Sequence, residues 1–298
     1  MERTIHIDPV KNPNLILTGD WHLRENIPEC RMDNFWETQW KKVDFIAKLQ
    51  YTYNCPIVHS GDLFNSWKPS PYLLASTIAH MPKQFYTVYG NHDLPQHSLE
   101  LSNKCGIEVL KQSGHLTVLD GVHWKKEPGE ITYDLGLKRK VLFWHVMTYT
   151  GGTPWPGCID LRADEVLQKY NGYDLIVTGH NHKPFTAQWE GRLLVNPGSI
   201  TRQKADQMNA QPCVYLWYEE TNTVKPVYLP IDDNVVSKEH IKRKETHDER
   251  LYTFVQKLNG DWGGVITLEE HLRRLLLENE VRKEVEEIAY KAIEIEKV

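Results

Sequence analysis

The chain has 298 residues, 40% of them hydrophobic, which suits one large globular domain with a smaller appendage. Forty acidic residues against 35 basic ones give a net charge of -5 and a pI near 6.3, which argues against a protein that coats nucleic acid through bulk positive charge but leaves room for a local basic groove. No run of about eighteen apolar residues occurs and the start has no long apolar stretch, so neither a membrane span nor a signal peptide is indicated and a cytoplasmic location is expected.

Taken in chain order, apolar runs of strand length alternate with helix-compatible segments. Leu15-Ile16-Leu17 reads as a first strand, followed by a helical stretch from Asn34 to Leu49. Pro56-Ile57-Val58 is a second strand, Pro71 to His80 a second helix, and Phe85 to Val88 a third strand. Asp120-Gly121, between Leu116–Leu119 and Val122–Trp124, is a tight-turn signal for a hairpin. Val141-Leu142-Phe143 and Leu175-Ile176-Val177 are further strands, and Val214 to Tyr218 faces Val224 to Leu229 across Thr221-Asn222 as a second hairpin. The alternation predicts an α/β architecture with mixed sheets.

Past Asp232-Asp233-Asn234 the strands stop, and apolar residues recur three and four apart, as at Leu251, Phe254, Val255 and Leu258. We place a boundary there, giving residues 1–232 as the main domain and 233–298 as a helical segment. Within the tail, Thr267-Leu268-Glu269-Glu270 offers a capping box for a helix burying Leu272, Leu275 and Leu276, and Val285, Ile288, Ala289 and Ala292 continue a similar stripe. The five cysteines, 30, 55, 105, 158 and 213, include no Cys-x-x-Cys pair and read as buried free thiols.

Five of the strand runs lead into blocks of metal-binding side chains: Asp20-Trp21-His22, Gly61-Asp62, Gly90-Asn91-His92-Asp93, His145, and Gly179-His180-Asn181-His182. Ligands at strand ends converge along one sheet edge. Asp-x-His alone is weak in a chain with 14 histidines, and a lone His145 is more often a core or turn residue. The full ordered set arises by accident in fewer than roughly one chain in a hundred.

Such a set suits phosphoester hydrolysis. A phosphodiester repels nucleophiles and has a poor leaving oxygen; two adjacent cations answer both difficulties and acidify a water between them. Holding two cations needs a bridging carboxylate, for which Asp62 is the candidate. Asp20 and His22, two apart on an extended segment, point the same way and can share one metal, and His180 and His182 repeat that geometry. Asn91 supplies a neutral oxygen. His92 projects differently and is free to protonate the leaving group as general acid, oriented by Asp93 or another carboxylate. His59, His97, His115 and His123 are assigned structural roles, and Asn196-Pro197-Gly198-Ser199 reads as a turn.

The set Asp-x-His, Gly-Asp, Gly-Asn-His-Asp, a later His and Gly-His-x-His resembles the calcineurin-like metallophosphoesterase family, with every position filled. The resemblance implies a four-layer α-β-β-α sandwich and two metals, one held by Asp20, His22, Asp62 and His182, the other by Asp62, Asn91, His145 and His180. Asp20-Trp21-His22-Leu23, Gly61-Asp62-Leu63-Phe64, Gly90 to Pro95 and Asn196 to Ser199 look like the SbcD-type DNA repair nucleases and their phage-encoded relatives. That likeness implies manganese-dependent cleavage of DNA in repair or recombination, by exonuclease and in some cases endonuclease action. It also implies a homodimer bound through a C-terminal helical segment to an SbcC-like coiled-coil ATPase, a part open to the tail after residue 233, whose apolar stripes equally suit a tail folding back on its own domain. Imidazole and carboxylate ligands are compatible with manganese, iron or zinc.

Arg24 stands where many relatives have Gly, the segment after the core is short for a DNA-capping domain, and the overall charge is acidic. Phosphate contacts must then come from local groups, with Arg24, Lys68, Arg202 and Lys204 as candidates. Trp21, Trp67, Trp144 and Trp155 could stack on unpaired bases, Trp21 and Trp67 being nearest in sequence to ligand blocks. A phosphatase or nucleotide phosphodiesterase built on the same ligands is the alternative, and a non-catalytic scaffold is a third reading that the complete ligand set disfavours.

Overall fold

A computed structural model of the chain describes residues 12–119 and 135–258, together with individual positions between 272 and 290. Strand β1 (Leu15–Thr18) leads into helix α1 (Phe35–Tyr53), β2 (Ile57–His59) into α2 (Pro71–His80), and β3 (Phe85–Thr87) into α3 (Gly106–Gln112) and β4 (Thr117–Val118). Then come β5 (Val141–Trp144), the short pair β6 (Thr148–Tyr149) and β7 (Leu161–Arg162), α4 (Ala163–Lys169) and β8 (Leu175–Thr178). Strands β9 (Phe185–Trp189), β10 (Arg192–Asn196), β11 (Cys213–Tyr218) and β12 (Thr223–Tyr228) precede helix α5 (Glu239–Leu258).

Local chemistry sets the ends of the two long helices of the main body. The Asn34 side chain accepts from the Glu37 amide at 3.3 Å and donates to the Glu37 carboxylate at 2.9 Å, starting α1. The helix continues to Tyr53, one turn beyond the expected Leu49, and ends where Asn54 turns left-handed at φ 48°. Ser70 caps α2 through the Leu73 amide, and Pro71 occupies its first turn, where its missing N–H costs nothing.

Two mixed sheets form. One runs β12-β11-β1-β2-β3-β4, with β1 to β4 parallel and β11 and β12 antiparallel; the other runs β5-β8-β10-β9, with only β9 antiparallel. Period-two alternation divides every central strand between two apolar layers. Leu15, Leu17, Val58, Tyr215 and Trp217 of the first sheet meet Val141, Phe143, Leu175, Val177, Leu193 and Val195 of the second in one buried cluster. Ile16, Ile57, Val214 and Leu216 face outward onto Val43, Ile46, Leu49 and Leu73 of α1 and α2, and Leu142, Ile176 and Leu194 face outward onto Val166 and Leu167 of α4. The layers are therefore helix, sheet, sheet, helix.

The hairpin expected at 214–229 forms, with Tyr218 opposite Thr223. Of the one expected after Leu116, Thr117 and Val118 pair parallel with β3, while the Asp120-Gly121 turn and its second strand, Val122–Trp124, lie outside the described residues. Four of the five free cysteines are buried, and Cys158 is half-buried.

The chain divides into two compact units, Met1–Ser237 and Lys238–Val298. The residues after Asp232 stay with the first: Val236 bridges to Arg31, and the Ser237 amide donates to the Cys30 carbonyl at 2.7 Å. In the second unit Leu272 and Leu276 are buried, whereas Val285 and Ile288 are exposed. The capping box at 267–270, Ala289 and Ala292 lie outside the described residues, as do the side chains of Leu251, Phe254, Val255, Leu258 and Leu275.

One buried charge makes a measurable prediction. Lys42, on α1, is 2% exposed, and burial, then the nearby Arg31 and Arg202, push its ammonium down to about 7. The unfolded chain keeps that proton to about pH 10.4, so between about pH 7 and that point it binds more protons than the folded one, and stability rises with pH across the window. Lys42→Met, close in volume, is expected to raise the thermal midpoint at pH 6.5 and to shrink that advantage by pH 9. A difference between variant and parent that does not change with pH would refute it.

Candidate metal centre

All the predicted ligand blocks follow the C-terminal ends of β1, β2, β3, β5 and β8, and the structure brings their side chains together. Asp20, His22 and His182 form one cluster and Asp62, His145 and His180 another, and His22, Asp62 and His92 form a third group that overlaps both. His22 Nε2 stands 3.0 Å from His182 Nε2 and 3.9 Å from Asp20 Oδ1, with Asp20 Oδ1 4.0 Å from His182 Nε2. Asn91 Oδ1 lies 3.1 Å from His145 Nε2 and 2.9 Å from His180 Nδ1. Between the clusters, Asp62 Oδ2 is 3.5 Å from His22 Nε2 and 3.4 Å from His145 Nε2, so a single carboxylate faces both.

Two donors bound to one cation at about 2.1 Å lie about 3.0 to 3.5 Å apart at neighbouring vertices and about 4.2 Å apart at opposite ones. The observed separations fall in that range, and the donors mix carboxylate, imidazole and amide oxygen, a set suited to divalent transition metals. The residues fit two cations sharing Asp62.

Protonation agrees. Burial holds His22 well below the ordinary histidine range, and holds His180 and His182 at about 4, the latter helped by the ammonium of Lys204. All three present neutral lone pairs at neutral pH. Burial opposes charge on His145, yet Asp62 lifts it to about 9; burial likewise disfavours ionised Asp62, but His145 and the other imidazoles hold it far below the carboxylate range. Burial pushes Asp20 up to about 7, against the pull of His145 and with the repulsion of Asp62. His145 therefore carries a proton that balances Asp62, and a cation bound there would take the place of that proton.

The backbone reaches this arrangement through conformations that side-chain alternation does not describe. Asp20, His22, Asp62 and His180 have φ of 48°, 46°, 58° and 72°, left-handed values uncommon for residues other than glycine and concentrated at functional sites. Asp20 and His22 do converge, though not because their segment is extended. His180 and His182, expected to share one metal by the same spacing, separate instead: His180 faces Asn91 and His182 faces His22. The left-handed turn at His180 removes the two-residue repeat.

Asp93, expected to orient His92, has a different place. Its carboxylate accepts from the amides of Asp62 at 2.8 Å, Gly90 at 2.9 Å and Phe64 at 3.2 Å, bracing the two loops that carry the ligands. His92 is positioned by the Asn65 carbonyl, 2.9 Å from its Nδ1, and its ring stands edge-on to His22 at 4.7 Å. Its own amide donates to Asp62 Oδ1 at 2.8 Å, leaving Oδ2 for the centre. A short side chain between two loop turns meets backbone amides more readily than a neighbouring ring.

Several supporting groups carry no sequence signal or only a turn signal. The Ser60 carbonyl takes the His145 Nδ1 proton at 2.8 Å, aiming Nε2 inward. Gly61 sits at φ 99°, where a Cβ would come within 2.6 Å of His145 Nδ1. The Asn196-Pro197-Gly198-Ser199 turn clamps the last ligand loop: Asn196 Nδ2 donates to the carbonyls of Asn181 and Lys183, and the Ser199 amide to His182. Gly198, at φ 70°, leaves room that a Cβ would lose 2.7 Å from the His182 carbonyl. His97 Nδ1 meets the Asn91 carbonyl at 2.7 Å, and Gln203 donates to the His22 carbonyl at 3.2 Å.

Of the residues given structural roles, His59 is wholly buried against Thr87 and held near pKa 3 by burial, and His115 pairs with Ser113. His123 lies outside the described residues. Among the phosphate-contact candidates, Arg202 is buried and spends its guanidinium on the carbonyls of Met208 and Asp232, so it is a structural cation. Arg24 lies beside the centre, its guanidinium held by Asn26 and Gln203; Lys68 and Lys204 are exposed.

The sequence profile of the calcineurin-like phosphoesterase superfamily domain matches residues 15–220. The DNA double-strand break repair protein Mre11 of Haloferax volcanii is 26% identical over 94% of this chain, and the alignment spans 64% of that relative's length. Similar solved structures include a novel archaeal phosphodiesterase (12% identity, 72% of this chain and 99% of that one, TM-score 0.40). Others are a predicted phosphoesterase of Streptococcus pneumoniae TIGR4 (14%, 72% and 97%, 0.33) and a Vps29 mutant of Entamoeba histolytica (13%, 72% and 99%, 0.34). Among the described residues no helix is long and apolar enough to cross a membrane.

Proposed function

Because the chain belongs to the calcineurin-like phosphoesterase superfamily and is thereby a metal-dependent phosphoester hydrolase, we propose that it cleaves DNA, as an exonuclease with endonuclease capacity, in repair or recombination. The observation that carries the chemistry is Asp62 Oδ2, set between two donor clusters at 3.5 and 3.4 Å. The DNA substrate draws its support from the relative named for double-strand break repair, aligned over nearly the whole chain.

In this reading Asp20, His22, Asp62 and His182 hold one cation and Asp62, Asn91, His145 and His180 the other, with manganese as the expected metal and iron or zinc as alternatives. Bound there, the pair neutralises phosphate charge and acidifies water. The chain does the rest. Ser60 fixes the tautomer of His145, Asp93 ties the loops of Asp62 and Asn91, and His92, aimed by Asn65, delivers a proton to the departing oxygen. The second unit, Lys238–Val298, is proposed as the dock for an SbcC-like coiled-coil ATPase, acting on a homodimer.

The test is digestion of end-labelled single- and double-stranded DNA with manganese, with and without the ATPase. Manganese-dependent release of labelled nucleotides is expected, abolished by a chelator. Hydrolysis of nucleotides or phosphoprotein with no action on any form of DNA would replace this reading with a phosphatase or nucleotide phosphodiesterase.

A further inference from the structure

The four tryptophans near the ligand blocks have different fates. Trp21 is fully buried, with its indole N–H on Thr18; Trp144 is buried under α4, and Trp67 packs half-buried on the core. Trp155 alone of the four is open, 46% exposed. It lines a cavity of about 710 Å³ together with His180 and His182, Tyr149, Lys204 and Asp206. That volume lies within the range of small-ligand sites, about 300 to 1,000 Å³. A large aromatic face, a cation and a two-metal phosphate site thus share one continuous groove.

Resting on the DNA reading above, we propose that this groove seats an unpaired nucleotide beside the scissile phosphate, its base stacked on Trp155 and its backbone met by Lys204. Inside a duplex each base has both faces covered by its neighbours, and a terminal pair offers only its outer face while its strand stays held to the partner, so a nucleotide seated within the groove comes from a single strand or a frayed end. The groove therefore selects unpaired DNA. An indole accepts any base by its π-face, so the preference is for strandedness and not for sequence. Lys204 lines the same groove as His182, which puts its ammonium within electrostatic reach of a phosphate at the metal centre.

The experiment titrates the manganese-loaded protein with a phosphorothioate-linked oligothymidylate and with a blunt duplex, following tryptophan fluorescence. The signal of Trp155 is taken as the difference between the parent and Trp155→Phe. Quenching of that signal by the single strand is expected. Trp155→Ala is expected to weaken single-strand binding about tenfold with metal content unchanged, and Trp155→Phe, which keeps a ring, to stay within about threefold of the parent. Lys204→Ala should lower the slope of log K against log salt by about 0.7. Equal single-strand affinity of the parent and Trp155→Ala, or a blunt duplex bound as tightly as the single strand, overturns the groove. Failure of the parent to bind or digest DNA of either form would instead remove the DNA reading itself.

Discussion

Asp62→Asn is expected to lower metal content from two ions per chain to one or none and to reduce DNA cleavage by more than about 10³-fold. The reason is geometric. Oδ2 faces His22 and His145 at once, and an amide placed there offers one neutral oxygen and a donor nitrogen, which cannot serve two cations. The fold is expected to survive, since Oδ1 of the asparagine can still accept from the His92 amide. Elemental analysis and end-label digestion measure the two effects. Two ions per chain with the parental rate would mean that Asp62 does not bridge.

His92→Ala is expected to keep both metals and to lose about 10² to 10⁴ of the cleavage rate on DNA. His92 is hydrogen-bonded through Nδ1 to Asn65 and stands against His22; it lies within ligand reach of His22 and Asp62, but Asp20 with His182 and His145 with His180 complete a cluster on either side of Asp62 without it. A residue that supplies a proton to a poor leaving group matters less when the leaving group is good. The loss on bis(p-nitrophenyl) phosphate is therefore expected to be much smaller than on DNA. An equal loss on both substrates would identify His92 as a positioning residue, and the parental rate on DNA would remove it from the reaction.

Much of the site could be read from the chain because each ligand block adjoins a strand with a recognisable apolar run. Leu15 to Leu17 and Leu175 to Val177 are strands in any register, and the residues beyond them must emerge at a sheet edge. The strand-end argument needs only local information. It failed where local conformation departed from the extended form: the left-handed φ of His180 sent His180 and His182 to different clusters, and no spacing rule announces such a residue. Asp93 was placed beside His92 because they are neighbours in the chain, yet its bonds go to amides 31 and 29 residues earlier. Trp21 and Trp67 looked better placed for stacking than Trp155 on sequence distance alone. Burial reversed that order.

Residue identity and spacing by themselves determined the chemistry: seven donors, ordered behind strands, with one aspartate available to bridge. The family motif already implied which donors share a metal; only the tertiary structure showed the turn that parts His180 from His182, what aims His145 and His92, and which tryptophan faces the groove. Ligand type follows from covalent structure and is written in the chain. Partnership depends on backbone angles and on loops meeting across two sheets, contacts between residues as distant in the chain as Asp20 and His182 that form only when the core closes.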